Sequence, residues 1–169
     1  MANTYVLIAS NTVGSGGASS VTFSSIPQTY TDLVLKSSVR STSTDNWLNI
    51  SFNGTSATVN WSARWIGGTG TAANSSSSTN STYSVLENDS TTTASTFSNS
   101  EIYIPNYTSA NAKSLSLDNV FENNATAAQS FLMASLWNNT AAITSMTLTP
   151  SSVNIAQYST FYLYGIKNS

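Results

Sequence analysis

Apolar positions along this chain recur at every second residue, and the clearest case lies near its end. Between Gln157 and Ile166, one face of an extended strand would carry Tyr158, Thr160, Tyr162, Tyr164 and Ile166, and the other Ser159, Phe161, Leu163 and Gly165. A strand resting on a core by one face alternates apolar with polar. Here both faces are largely apolar or aromatic, which predicts a central strand with a core on one side and a second contact, such as a neighbouring subunit, on the other.

The same period marks the other elements. Thr4 to Ser10 opens the chain, and the turn Gly14 to Gly17 leads to Ser20 to Ser24 as an expected hairpin partner, ended by Pro27. Asp32 to Ser41 aligns Leu33, Leu35 and Val39 against Lys36, Ser38 and Arg40. Trp47 to Asn53 turns inward Leu48, Ile50 and Phe52; Asn53-Gly54 predicts a tight turn, with Thr58 to Ile66 returning as the second arm of a hairpin. From 67 to 81 only Gly, Ser, Thr, Ala and Asn occur, so a long exposed loop is expected, of the kind that either binds or is merely inserted. Further strands are expected at Tyr83 to Leu86, Glu101 to Pro105, Ser114 to Glu122, Gln129 to Trp137 and Ile143 to Thr149. Gln129 to Trp137 is again two-sided, with Phe131, Met133 and Trp137 opposite Leu132, Ala134 and Leu136. A helix competes only over Ala125 to Leu136, where the two-sided pattern and flanking turns favour a strand. About ten short strands and no amphipathic helix predict a single all-β domain, an antiparallel β-sandwich or jelly roll.

Composition narrows the chemistry. The 169 residues contain no Cys and no His, which removes disulfides, thiol chemistry, Ser-His-Asp triads and His-based metal sites. Only 7% of residues are charged, against about 25% in an ordinary domain. Solubility therefore rests on Ser, Thr and Asn, while 11% aromatic content argues against disorder. The five basic residues are scattered and the net charge is −2, so no nucleic-acid footprint exists. No apolar run reaches the length of a membrane span, and the N-terminus lacks a positive leader, so synthesis in the cytoplasm and no membrane partner are expected.

Two segments together resemble a known group. Tyr5 to Ala9, the turn Val13 to Ser20 and the run Val21 to Leu35 are similar to the N-terminal region of small virion proteins of tailed phages, especially cyanophages and marine phages. Ala142 to Pro150 with Ser159 to Lys167 is similar to the ends of the same proteins. The resemblance implies a virion component made in the host cytoplasm: a capsid-decorating (cement) protein, or a tail-fibre or capsid-fibre part. It also implies a β-sandwich assembling with itself, commonly as a trimer, on phage capsid or tail proteins. It brings no catalytic motif and no cofactor. A fibre subunit usually needs a shaft or coiled coil, and the chain has neither heptads nor a repeat, which favours decoration.

Candidate site residues follow from these patterns. Tyr158, Tyr162 and Tyr164, with Leu132 and Leu136, are the expected oligomer interface. Trp47, Trp61 and Trp65 could instead stack on a host-surface glycan, with a core or interface role as the competing reading. The only close pair of acids is Glu87 and Asp89, next to a turn, where solvated loop carboxylates are expected in place of a glycosidase pair. Asp45 with Asn46, or Glu87 with Asp89, are where calcium would be sought, although no calcium-loop pattern occurs. The expected function is structural, with no catalytic, metal or cofactor residues.

Overall fold

The computed structural model describes residues 4–44, 47–55, 58–80, 83–122, 128–152 and 154–167, and for 83–86 the backbone alone. Its strands in chain order are β1 (Tyr5–Thr12), β2 (Val21–Phe23), β3 (Asp32–Val39), β4 (Trp47–Phe52), β5 (Trp61–Gly68), β6 (Ala73–Thr79), β7 (Tyr83–Leu86), β8 (Ser98–Ile104), β9 (Lys113–Phe121), β10 (Gln129–Trp137), β11 (Met146–Pro150) and β12 (Thr160–Ile166). One turn of 3-10 helix, Thr58–Asn60, precedes β5. Eight strands form one sheet in the order β1-β12-β3-β8-β9-β10-β5-β6, and four form the other, β2-β11-β4-β7. Neighbours within each sheet run antiparallel. The fold is an all-β sandwich.

Alternation along the strands builds the core between the sheets. Leu33, Leu35, Ile102, Ile104, Leu115, Leu117, Met133, Phe161 and Leu163 face inward from the large sheet. Val21, Phe23, Leu48, Ile50, Phe52, Met146 and Leu148 meet them from the small one. At one place the contact is aromatic: the Phe52 ring lies 5.3 Å from Trp61 and 5.2 Å from Trp137, between ring centres. Burial of this quality, at about 25 cal/mol per Å2 of apolar surface, is the main stabilising term.

Both expected hairpins are corrected. β1 pairs with β12, and β2 with β11 in the opposite sheet. Pairing β1 with β2 would put both strands in one sheet and remove Val21 and Phe23 from the small sheet's inner face. Close approach fixes the crossing: a Cβ on Gly17, which has φ +77°, would lie 2.6 Å from the Ile155 carbonyl oxygen. The Asn53-Gly54 turn does form, with φ of 54° and 68°, but β5 leaves it for the large sheet. The Asn53 side chain holds the turn to another segment, accepting from the Thr144 N–H at 2.8 Å and donating to the Ala142 carbonyl at 2.8 Å.

The expected loop at 67 to 81 is also corrected. Gly67 and Gly68 end β5, and Ala73–Thr79 is β6, paired with β5 from Ser62↔Thr79 to Gly68↔Ala73. Backbone hydrogen bonds make this edge strand, while its side chains stay almost wholly exposed. No apolar period could mark it. Asn123-Asn124, a residue pair that favours a turn, lies outside the described residues.

Candidate interaction surface

The two outer faces of the sandwich differ in chemistry. On the small sheet, Thr22, Asn49, Ser51, Thr147 and Thr149 point away from the core, and Thr22 and Thr147 hydrogen-bond across strands at 3.0 Å. On the large sheet the outward residues include Tyr5, Leu7, Ile66, Val120, Leu132, Leu136 and Tyr162, all substantially exposed.

Register places these side chains in rows across the sheet. One row reads Ser10, Tyr162, Lys36, Glu101, Asp118, Leu132, Ile66 and Ser75, from β1 to β6. The adjacent row reads Leu7, Tyr164, Val34, Tyr103, Ser116, Ala134, Arg64 and Ser77. At the β1–β12 end the residues are bulky, and Tyr5 meets Tyr164 edge to face with ring centres 6.2 Å apart. At the β9–β10–β5 end small residues, Ser116 and Ala134, lie between Arg64, Ile66 and Leu132, leaving an open groove of about 680 Å3.

A charged stripe separates the two ends. Lys36 Nζ lies 2.8 Å from a Glu101 carboxylate oxygen, and this hydrogen bond raises the lysine's pKa. Asp118 is the cross-strand neighbour of Glu101 on the other side. Nearby, Tyr103 donates its hydroxyl to Asp32 at 2.8 Å, which raises the phenol's pKa, and the Asn106 N–H donates to the same carboxylate at 2.8 Å. Asp32 thereby closes the end of β3.

The predicted interface residues divide. Tyr162, Tyr164, Leu132 and Leu136 lie on this outer face, the tyrosines at one end and the leucines at the other. Tyr158 does not join them. It is highly exposed, with φ 72°, in the turn before β12, where its N–H donates to the Val13 carbonyl at 2.9 Å. The strand begins two residues later than its aromatic pattern implies, because the left-handed turn there breaks the alternation.

The predicted glycan platform does not hold together. Trp61 is only 3% exposed and packs in the core beside Phe52 and Trp137, so no sugar can reach its face. Trp47 and Trp65 are half-buried against Phe121 and Phe131, and Trp65 meets Phe131 edge to face at 5.1 Å. Both pack against the Phe121–Phe131 cluster, and of the two only Trp65 also borders the apolar groove.

The acids are structural where their roles are visible. Glu87, expected as a solvated loop acid, is 1% exposed. Asp89 caps the following turn, accepting from the N–H and hydroxyl of Thr91 at 2.8 and 2.6 Å. Arg40 pins the same loop by donating to the Thr92 and Thr93 carbonyls at 3.1 and 2.9 Å. Asp45 and Asn46 lie outside the described residues. Among the described residues no group of three or more acids could hold a metal ion.

One functional-looking cation was hidden from the sequence pattern. Lys113 is 1% exposed, and its ammonium donates to the carbonyls of Ser109, Asn111 and Ala141 at 2.8, 2.6 and 2.9 Å. Burial lowers its pKa. It ties the loop before β9 to the one after β10, and it sits 5.7 Å from the Trp137 ring centre. Compared with family models, with curated proteins and with solved structures, the chain matches none.

Proposed function

We propose that this is a non-enzymatic structural protein of a phage virion, a homo-oligomeric capsid decoration (cement) protein. The observation that carries self-association is the contrast between the two outer faces. On the small sheet Thr22, Asn49, Ser51, Thr147 and Thr149 turn outward, whereas the large sheet exposes Tyr5, Leu7 and Tyr162 at one end and Leu132, Leu136 and Ile66 at the other. Large apolar side chains exposed together on one face mark an interaction site in a soluble protein. The placement on a virion rests on the resemblance of Tyr5 to Leu35 and Ala142 to Lys167 to such proteins.

A structural role is supported by the fate of the candidate chemical groups. The chain has no His or Cys, Glu87 is buried, Asp89 caps a turn, and Glu101 is held by Lys36. A general acid or base needs access to a substrate proton. A fibre subunit is the less favoured variant, since the 169 residues contain no heptads or repeat from which a shaft could be made.

Cryo-microscopy of the parent particle tests the placement. Density for this sandwich on the outer surface of the head is expected. Density along a fibre, or none on the particle, would overturn it.

A further inference from the structure

The outer face of the large sheet is patterned to receive itself. The central row, read from β8 outward, has Lys36 one strand to one side of Glu101 and Asp118 one strand to the other. Two strands out, Tyr162 stands on one side and Leu132 on the other; in the next row Tyr164 is balanced by Ala134. Cation is thus mirrored by anion, and protruding aromatic by groove, about a single strand.

We propose that this face binds a second copy of the chain about a two-fold axis running along β8, seating Lys36 of each copy on Asp118 of the other and Tyr162 and Tyr164 of each in the other's groove beside Leu132 and Ala134. The proposal rests on the self-association reading above and adds the surface, the contacts and the symmetry.

The geometry follows from the operation itself. A two-fold axis parallel to the strands and between two stacked sheets carries each strand to the opposite side of β8 and leaves its position along the strand unchanged. β3 then faces β9 of the second copy, and β12 faces β10. Aligned sheets pack about 10 Å apart, close enough for tyrosines to enter a groove. Glu101 meets its own copy near the axis, where Lys36 already holds it at 2.8 Å.

Size agrees with charge and shape. The seven strands that overlap about this axis, from β1 to β5 across the sheet, spaced about 4.8 Å apart and each contributing about seven residues of about 3.3 Å, make a face of about 800 Å2, the area each partner buries in an ordinary stable complex. A phage or host protein of other chemistry would not require the chain to carry both halves of the match. The reciprocal contact gives a dimer, where the resemblance implies a trimer.

Charge exchange tests the pairing. Light scattering would follow Lys36→Glu, Asp118→Lys, an equimolar mixture of the two, and the double variant. Each single variant places like charges at both contacts, and a dissociation constant at least about tenfold weaker is expected. In the mixture every contact again joins opposite charges, so a mixed dimer of near-native strength should form, and the double variant should dimerise alone. Asp118→Lys keeps the Lys36–Glu101 ion pair, and a native-like circular-dichroism spectrum with a cooperative melt would separate lost binding from lost folding. Single variants that associate as tightly as the native chain, or a mixture that fails to recover, would overturn the pairing while leaving self-association standing. A native chain that remains monomeric would overturn both.

Discussion

Tyr164 lies edge to face with Tyr5 across the β1–β12 pair, their ring centres 6.2 Å apart, on the solvent side of the large sheet. A core would gain from such a pair by exclusion of water, yet here Tyr5 is 52% exposed. The pair therefore presents apolar surface outward.

Replacing Tyr162 with Ser should weaken association more than it weakens folding. The side chain is 38% exposed, so unfolding free energy should fall by about 1 kcal/mol or less, as for other surface changes. A central aromatic anchor at an interface costs about 2 kcal/mol or more when truncated. Denaturant unfolding and sedimentation of the same variant measure the two effects. Equal losses would make this face ordinary core.

Gly165→Ala should destabilise the sandwich without changing the outer face. A Cβ at Gly165 would lie 2.3 Å from the Tyr30 ring, which covers this strand. Relief requires the ring or β12 to shift, at about 1–3 kcal/mol for such overpacking. A lower denaturation midpoint with retained self-association per folded molecule is expected.

Lys113→Met keeps the aliphatic stem and removes the donor to three loop carbonyls. Leaving buried acceptors unsatisfied costs about 1–3 kcal/mol each. Hydrogen exchange should accelerate in the segments 106–112 and 138–142 before it does so in β9 or β10.

Tyr107 gives the fold an alkaline limit. Its ring is wholly buried, its hydroxyl donates to the Pro27 carbonyl, and burial raises its pKa above 10.0. Between 10.0 and that raised value the unfolded chain loses this proton and the folded chain keeps it. Stability from this group is thus complete below pH 10.0 and falls as pH rises, by up to about 1.4 kcal/mol per pH unit. Tyr107→Phe should be less stable at neutral pH and show a shallower decline above pH 10.0. Parallel curves for the two proteins would contradict this.

What could be read from the residues alone was whatever a period of two expresses. The two-sided patterns of β10 and β12 identified strands with a core face and a spare face, because Leu132 and Tyr162 alternate with Met133 and Leu163. Pairing was less legible: β1 sits beside β12 from the far end of the chain, a contact no local turn records. β6 was invisible since Ser and Asn carry no hydrophobic period, and its stability comes from backbone bonds to β5. Trp61 was ambiguous, as an indole suits a core and a sugar equally by composition. The row joining Lys36, Glu101 and Asp118 sets β3 beside β8 and β9, more than 60 residues further along the chain. Lys113 broke the usual rule that lysine marks solvent, and only the carbonyls around it explain its burial.

Molecular mass in solution tests the central claim, that the outer face of the large sheet is a subunit interface, more directly than any variant. Light scattering at micromolar concentration should return a multiple of the 17.9 kDa chain mass. A stable 17.9 kDa monomer would contradict it.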